Sequence, residues 1–298
     1  MAKGNHDNLW AVTKGQRARY VGAMVAMACA NLCMFGAPLV AKYAIDVVVD
    51  KDVSKGAPLL VEPAEWLTSA LDLRPGMRVL DLGCGRATSS IFLHREFGVQ
   101  VWATDLWFSA AENGQRIRDA GVEDSVFPVH ADARSLPFSE EFFDVIVSLD
   151  SFYYYGTDDL YLNYLARFVK PGGAIGIAGA GLMQEIDSFI PKHLRDWWTN
   201  DLWCLHTAPW WRRHWERTKI MDIEIADTMP DGCQLWLDWH RLIAPDNEAE
   251  IKALEADRGE YLGYVRLVGR RRTNAILPDQ ILSVPTQYIK KPLLRTEP

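Results

Sequence analysis

Val79-Leu80-Asp81-Leu82-Gly83-Cys84-Gly85 begins as a short apolar strand and runs straight into a glycine-bearing turn. The strand starts at Met77 and ends at Leu82. Residues 88–97 have helical spacing, and Gly98 is placed to stop that helix in the left-handed conformation. Working outward, the same alternation repeats. Residues 99–105 form a second strand. Ser109-Ala110-Ala111-Glu112 is a capping box, opening a helix that ends at Gly121. Residues 126–131 are a third strand and 143–149 a fourth, almost continuously apolar. Helical spacing over 157–169 leads to the Pro171-Gly172-Gly173 turn and a fifth strand at 174–178.

Strands alternating with helices imply a parallel sheet with both faces covered and right-handed crossovers. Such sheets bind ligands at the carboxyl ends of their strands. Those ends are Asp81-Leu82-Gly83, Asp105-Leu106, Ala131-Asp132-Ala133 and Asp150-Ser151-Phe152.

Composition narrows the function. The chain has 298 residues, 49% hydrophobic and 24% charged, as a globular protein does. Lysine plus arginine is 32 against 39 for aspartate plus glutamate, a net charge of −7, which argues against a nucleic-acid partner. The five cysteines (Cys29, Cys33, Cys84, Cys204, Cys233) are odd in number and lack Cys-x-x-Cys spacing, so neither a disulfide framework nor a zinc site is expected. No other metal-ligand spacing occurs, and no metal is expected.

Gly83 and Gly85 let the backbone turn sharply and let a ligand approach the helix amino terminus. A carboxylate at Asp81 would repel a pyrophosphate, which disfavours a dinucleotide. It suits a cationic ligand, one carrying an α-amino group or a sulfonium. Asp105 lies 20 residues after Gly85, where a carboxylate accepts from two ribose hydroxyls. Asp132 ends the third strand, where it can accept from an exocyclic amine. Adenine, ribose and a cationic amino-acid tail together describe S-adenosylmethionine.

The Asp81-Leu82-Gly83-Cys84-Gly85 stretch, Asp105, His130-Ala131-Asp132-Ala133, Phe143-Asp144-Val145-Ile146 and Val169-Lys170-Pro171-Gly172-Gly173 resemble, in order and spacing, the motifs of class I S-adenosylmethionine-dependent methyltransferases. The resemblance is to their small-molecule branch, related to the ubiquinone-biosynthesis and the phosphoethanolamine or sarcosine methylating enzymes. It implies a Rossmann-like α/β fold: seven strands, mostly parallel, the last antiparallel, with helices on both faces and an aromatic-rich lid insert. Residues 221–226 and 261–269 are the candidates for strands six and seven. It also implies cofactor contacts from Asp81, Gly83, Cys84, Gly85, Asp105, Leu106, Ala131, Asp132, Ala133 and Asp150. The family usually has a third glycine where this chain has Ala87. Alanine is small enough to keep the turn.

The expected organisation is an apolar helical segment over 1–55, a methyltransferase domain over 56–272 with a lid insert at about 181–219, and a tail over 273–298. Twelve tryptophans are about three times the average usage, and eight fall between Trp197 and Trp239. Aromatic faces attract cations, so Trp210, Trp211 and Trp236, with Tyr153, are candidate walls for an amine acceptor; packing of the insert is the alternative. Trp211 and Trp215, four apart, share a helix face. Arg212, Arg213 and Arg217 suit either a carboxylate or phosphate or plain solvation. Methyl transfer is a direct displacement that needs alignment first and a base second. Tyr154, Tyr155 and His206 are the catalytic candidates, with His214, His240 and Glu185 behind them. The expected function is methyl transfer to a small-molecule amine or hydroxyl, and the alternative is a membrane-associated, weakly active or inactive cofactor-binding adaptor.

Residues 20–41 carry no charge and follow Lys14, Arg17 and Arg19, long enough for a membrane span. Asn31 interrupts the run, and Gly36 and Pro38 should end a helix near Phe35. The residues after it are net acidic. The positive-inside rule would therefore put the domain outside the cytoplasm, away from its cofactor. A buried or lid helix in a cytoplasmic protein is the expectation, one that could also build a homodimer. Membrane association and a cleaved signal are the alternatives.

Overall fold

The computed structural model describes residues 53–187 and 189–277. The elements are α1 (Val53–Thr68), β1 (Arg78–Leu82), α2 (Thr88–Phe97), β2 (Gln100–Asp105), α3 (Ala110–Asp119), β3 (Val126–His130), β4 (Phe143–Leu149), α4 (Tyr153–Gly156), α5 (Tyr161–Leu165) and β5 (Val169–Leu182). They continue with a 3-10 turn (Asn200–Cys204), α6 (Ala208–Glu216), β6 (Met221–Thr228), α7 (Gly232–Ile243), α8 (Glu248–Asp257) and β7 (Leu262–Arg271). The seven strands lie in the order β3-β2-β1-β4-β5-β7-β6. β1 to β5 pair in parallel, and β7 runs antiparallel to both β5 and β6. The seven-stranded expectation holds, with β7 the reversed strand. The break in strand order lies between β1 and β4, where a doubly wound sheet opens its ligand crevice.

Local signals explain most elements. Ser109 caps α3, its hydroxyl accepting from Glu112 N–H while the Glu112 carboxylate accepts from Ser109 N–H. Gly98 stops α2 at φ 64°. The fifth strand is longer than expected. It begins at Val169, with a register shift opposite Phe143 and Val145, and runs on to Leu182. Its last residues, Ala178-Gly179-Ala180-Gly181, are small because β7 lies tight against them: a Cβ at Gly181 would sit 2.6 Å from Val265. The helix expected over 157–169 is shortened to α5, and α4 is a separate short piece before it. Asp158 accepts from Leu160 N–H and forms a turn between them.

Two sheet-face cores are aliphatic and aromatic, and a third packs the insert. α6 lies on the sheet, with Trp211 and Trp215 fully buried among Leu80, Leu82, Phe152 and Ile177. This part of the expected lid is therefore core: the helix face read from Trp211 and Trp215 points inward. The rest, from Met183 to Leu205, packs Ile186, Leu194, Trp198 and Leu205 against Trp236 and Leu237 of α7 and Leu254 of α8. Arg266 of β7 ties α1 down. It donates to Asp227 at 2.9 and 2.6 Å and to the Trp66 carbonyl, and stacks over the Trp66 ring.

The expectations for residues 1–52 and for the tail beyond 277 fall outside the described residues. Among the described residues, no helix is long and apolar enough to cross a membrane.

Candidate active site at the carboxyl edge of the sheet

The turn after β1 is built for close approach. Gly83 has φ 76°, and a Cβ there would sit 2.0 Å from Ser151 Oγ, so the β4 end closes directly over it. Gly85 has φ 54° and open space where a side chain would stand. Ala87, at the missing third glycine, keeps the left-handed conformation at φ 62° and is fully buried. That conformation costs an alanine about 1–2 kcal/mol. The turn survives because Ala87 N–H still reaches the Cys84 carbonyl at 3.0 Å. Burial pushes the Cys84 thiol well up, which keeps it neutral.

Asp105 organises this half. Its Oδ2 accepts from Gly85 N–H at 2.8 Å, and its Oδ1 from Trp107 and Phe108 N–H at 2.7 and 3.0 Å. The carboxylate is thereby fixed beside the open Gly85, with lone pairs left over. Asn113 of α3, buried, donates to the Gly85 carbonyl at 2.9 Å and holds the turn from the other side. Leu106 stays 48% exposed next to Asp105. At the end of β3, Ala131 N–H donates to the Asp105 carbonyl and Tyr161 to the Ala133 carbonyl. Asp132 is not bare: Arg134 engages both its oxygens, which lowers its carboxyl below the usual range.

Asp81 is fully buried. Ser89 and Ser90 both donate to Oδ2 at 2.6 Å, while Oδ1 has no partner. It is thus enclosed next to the turn with one acceptor to spare. Burial raises its carboxyl from 3.8 to about 6. A raised acid binds more protons folded than unfolded, so this stability is present at pH 4 and lost as pH rises through 6, about 3 kcal/mol in all. Asp81→Asn should match wild type near pH 4 and gain up to about 3 kcal/mol above pH 6 without ligand. Urea titrations across that range check it; an advantage that does not change with pH would refute it.

The other half lies beyond β4. Asp150 takes a left-handed conformation at φ 48°. Its Oδ1 accepts from Ala180 N–H at 3.1 Å and its Oδ2 from the Tyr264 hydroxyl at 2.8 Å. The three tyrosines diverge. Tyr155 points back, its hydroxyl 3.0 Å from Ser151 Oγ and 3.3 Å from Ser148 Oγ, and burial pushes it up to about 12. It braces the Gly83 closure. Tyr153 and Tyr154 stack obliquely at 4.5 Å, with Tyr154 57% exposed.

His206 lies after the end of β5. Its Nδ1 is 3.0 Å from Glu185 Oε2, and its ring stacks on Trp210 at 3.6 Å. Trp210 in turn stacks on His214, whose Nε2 meets the Gly156 carbonyl. Glu185 also accepts from Thr207 N–H and hydroxyl, and these donors hold its carboxyl low. Trp211 and Trp236 are 1% and 7% exposed. Trp211 packs in the core under the sheet and Trp236 packs with the insert. Trp236 donates to Glu250, which His240 also meets at 2.9 Å. Arg212 pairs with Glu216 on α6, and Arg213 and Arg217 are exposed. Among the described residues no cluster of His, Cys, Asp or Glu could hold a metal ion.

Sequence reasoning missed Asn113, the Ser89–Ser90 pair and Tyr264. The serines directly after the glycine turn were a readable signal. Tyr264, 114 residues from its partner Asp150, left none.

A family model described as a methyltransferase domain matches residues 79–173. Methyltransferase GfsG of Streptomyces halstedii is 34% identical over 124 residues, covering 41% of this chain and 45% of that protein. The 2-methyl-6-phytyl-1,4-hydroquinone methyltransferase of Synechocystis is 27% identical over 229 residues, 72% of this chain and 67% of the relative. The chain thus spans less than half of the first of these. In structure, the geranyl diphosphate C-methyltransferase of Streptomyces coelicolor, solved with Mg2+, geranyl diphosphate and S-adenosyl-L-homocysteine, aligns at TM-score 0.60 and 20% identity over 74% of this chain and 83% of its own. That similarity speaks for the fold.

Proposed function

We infer that this chain, whose residues 79–173 match the methyltransferase-domain family, transfers a methyl group from S-adenosylmethionine to a small-molecule amine or hydroxyl acceptor. The observation that carries this is the Asp105 carboxylate, fixed by three backbone N–H groups beside the open Gly85. The residues fit the cofactor: an orphaned carboxylate oxygen at Asp81, a turn free of side chains at Gly85, and a ribose-type acid at Asp105.

When bound, S-adenosylmethionine supplies an electrophilic methyl group. Asp105 would hold the ribose hydroxyls, with Gly83, Cys84 and Gly85 forming the floor and Asp81 adding negative charge behind it. Leu106, Ala131, Asp132 and Ala133 would border the adenine, with Asp132 giving up part of its Arg134 pairing. Tyr153, Tyr154 and Trp210 would flank the acceptor, and the insert over 183–205 would exclude water as its lid. Glu185 favours the His206 tautomer with a proton on Nδ1, which leaves Nε2 able to take a proton from a hydroxyl acceptor. Tyr154 would orient the acceptor at the mouth. The cytoplasm, where the cofactor is made, is the proposed location.

Calorimetry with S-adenosylmethionine and S-adenosylhomocysteine tests this reading. Micromolar binding at one site is expected for both. Absence of heat and of any thermal shift with either would sink it. A screen of amines, phenols and acids for methylated product then names the acceptor.

A further inference from the structure

We propose that Trp210 is a positioning residue. Sandwiched between His206 and His214, it lets the stack accept one proton, keeps that proton on His206, and so fits the site to a hydroxyl acceptor. The inference rests on the methyltransferase reading and selects hydroxyls over amines within it.

The Trp210 indole is covered on both sides. His206 stacks on it with ring centroids 3.6 Å apart and planes 7° from parallel. His214 stacks at 4.7 Å and 20°. The two imidazoles stand four residues before and four residues after Trp210, one helical turn to either side, which places them on opposite faces. Thr207, the amino-terminal cap of α6, accepts from Trp210 N–H and fixes the middle of the stack. An indole with both faces taken has none left for an ammonium ion and can meet an acceptor only with its edge.

The two imidazoles have different surroundings. The His214 side chain is 6% exposed, and its Nε2 donates to the Gly156 carbonyl at 3.1 Å. Burial lowers its affinity for a proton, and a charge on His206 lowers it further. The His206 side chain is 21% exposed, and Glu185 sits 3.0 Å from its Nδ1. Glu185 is held in place by Thr207 N–H and hydroxyl at 2.8 and 2.7 Å. A carboxylate at the ring edge and an indole on the ring face both stabilise a positive imidazole. These contacts act on charge that is present only once the proton has moved, which is where stabilisation speeds a reaction. The other charged groups that bear on the pair are Asp159, 3.7 Å from His214 Nδ1, and Arg217 at the end of α6.

The proton step balances simply. An acceptor O–H bond breaks, its electron pair stays on oxygen, and the proton joins the lone pair of His206 Nε2. The imidazolium then returns the proton to water on its exposed side. His214 stays neutral throughout and holds the far face of Trp210.

The test follows the ring Cε1–Hε1 signals of isotope-labelled histidine by NMR from about pH 8 to about pH 5, the range in which histidine titrates. His206→Gln and His214→Gln assign the two signals. In the wild type His206 should gain its proton first, and His214 only at lower pH. Trp210→Leu should weaken proton binding by His206 about threefold, the worth of one partly exposed cation–indole contact. Trp210→Phe should recover part of that loss, and an unchanged His94 signal shows that the variants are folded. With S-adenosylhomocysteine bound, phenol should shift the His206 signal more than benzylamine does. Three results overturn the proposal: both histidines titrating together, a His206 titration that ignores Trp210→Leu, or a His206 signal on which phenol acts no more than benzylamine. Failure of S-adenosylhomocysteine to bind the wild type is a separate result. It overturns the methyltransferase reading, while the titrations made without it still decide what Trp210 does to His206.

Discussion

Replacing Asp105 with alanine weakens S-adenosylhomocysteine binding by about a hundredfold or more. The carboxylate has two duties, and the variant loses both. It removes the acceptor for the ribose hydroxyls, where a hydrogen bond to a charged group is worth about 1.5–3 kcal/mol. It also releases Gly85, Trp107 and Phe108 N–H, which shape the turn at the cofactor site. About 3 kcal/mol corresponds to the hundredfold loss. Asp105→Asn keeps acceptor oxygen without charge and should fall between variant and wild type. Calorimetry of both variants checks the order, and wild-type affinity in Asp105→Ala would remove the central support for the cofactor site.

Trp211→Ala lowers stability by about 3–5 kcal/mol, the usual range for emptying a buried tryptophan site. Trp211 is 1% exposed, and its ring sits 5.6 Å from Phe152 and 5.0 Å from Trp210. Its removal opens a cavity under β5 and β7 that the rigid sheet cannot collapse to fill. Trp211→Phe should recover a good part of the loss and bind S-adenosylhomocysteine as wild type does. Chemical denaturation measures the first outcome and calorimetry the second. A Trp211→Ala protein of wild-type stability that lost only acceptor affinity would return this residue to the lid.

The cofactor half of the site was legible because its requirements are local. A turn that needs positive φ at Gly83 and Gly85 states that need in its own residues, and Asp105 follows at the length of one strand–turn–helix–strand unit. The capping box at Ser109 likewise needs two intervening positions and nothing more. The tryptophan excess was legible as a fact and not as a role. Trp210 stacks on His206 near the site, Trp211 packs the sheet, and Trp236 braces Glu250. These three residues have one chemistry and three environments, and burial alone separates them.

Helix lengths after β4 were misjudged for a related reason. The helical spacing over 157–169 reflects residues that do face the core, such as Tyr161, Leu162 and Leu165. Spacing records which side chains are buried and says nothing of the turn that Asp158 inserts.

By itself the sequence determined the alternation of strands and helices, the reversed last strand through its family resemblance, and the carboxylate and glycines that suit S-adenosylmethionine. The tertiary structure alone decided which residues meet beyond β4. Inserting β7 antiparallel between β5 and β6 carries Tyr264 to Asp150 and small β5 residues against Val265. Backbone conformation and capping are settled within a few residues, where sequence is read directly. A contact between strand ends more than a hundred residues apart exists only once the strand order has been chosen.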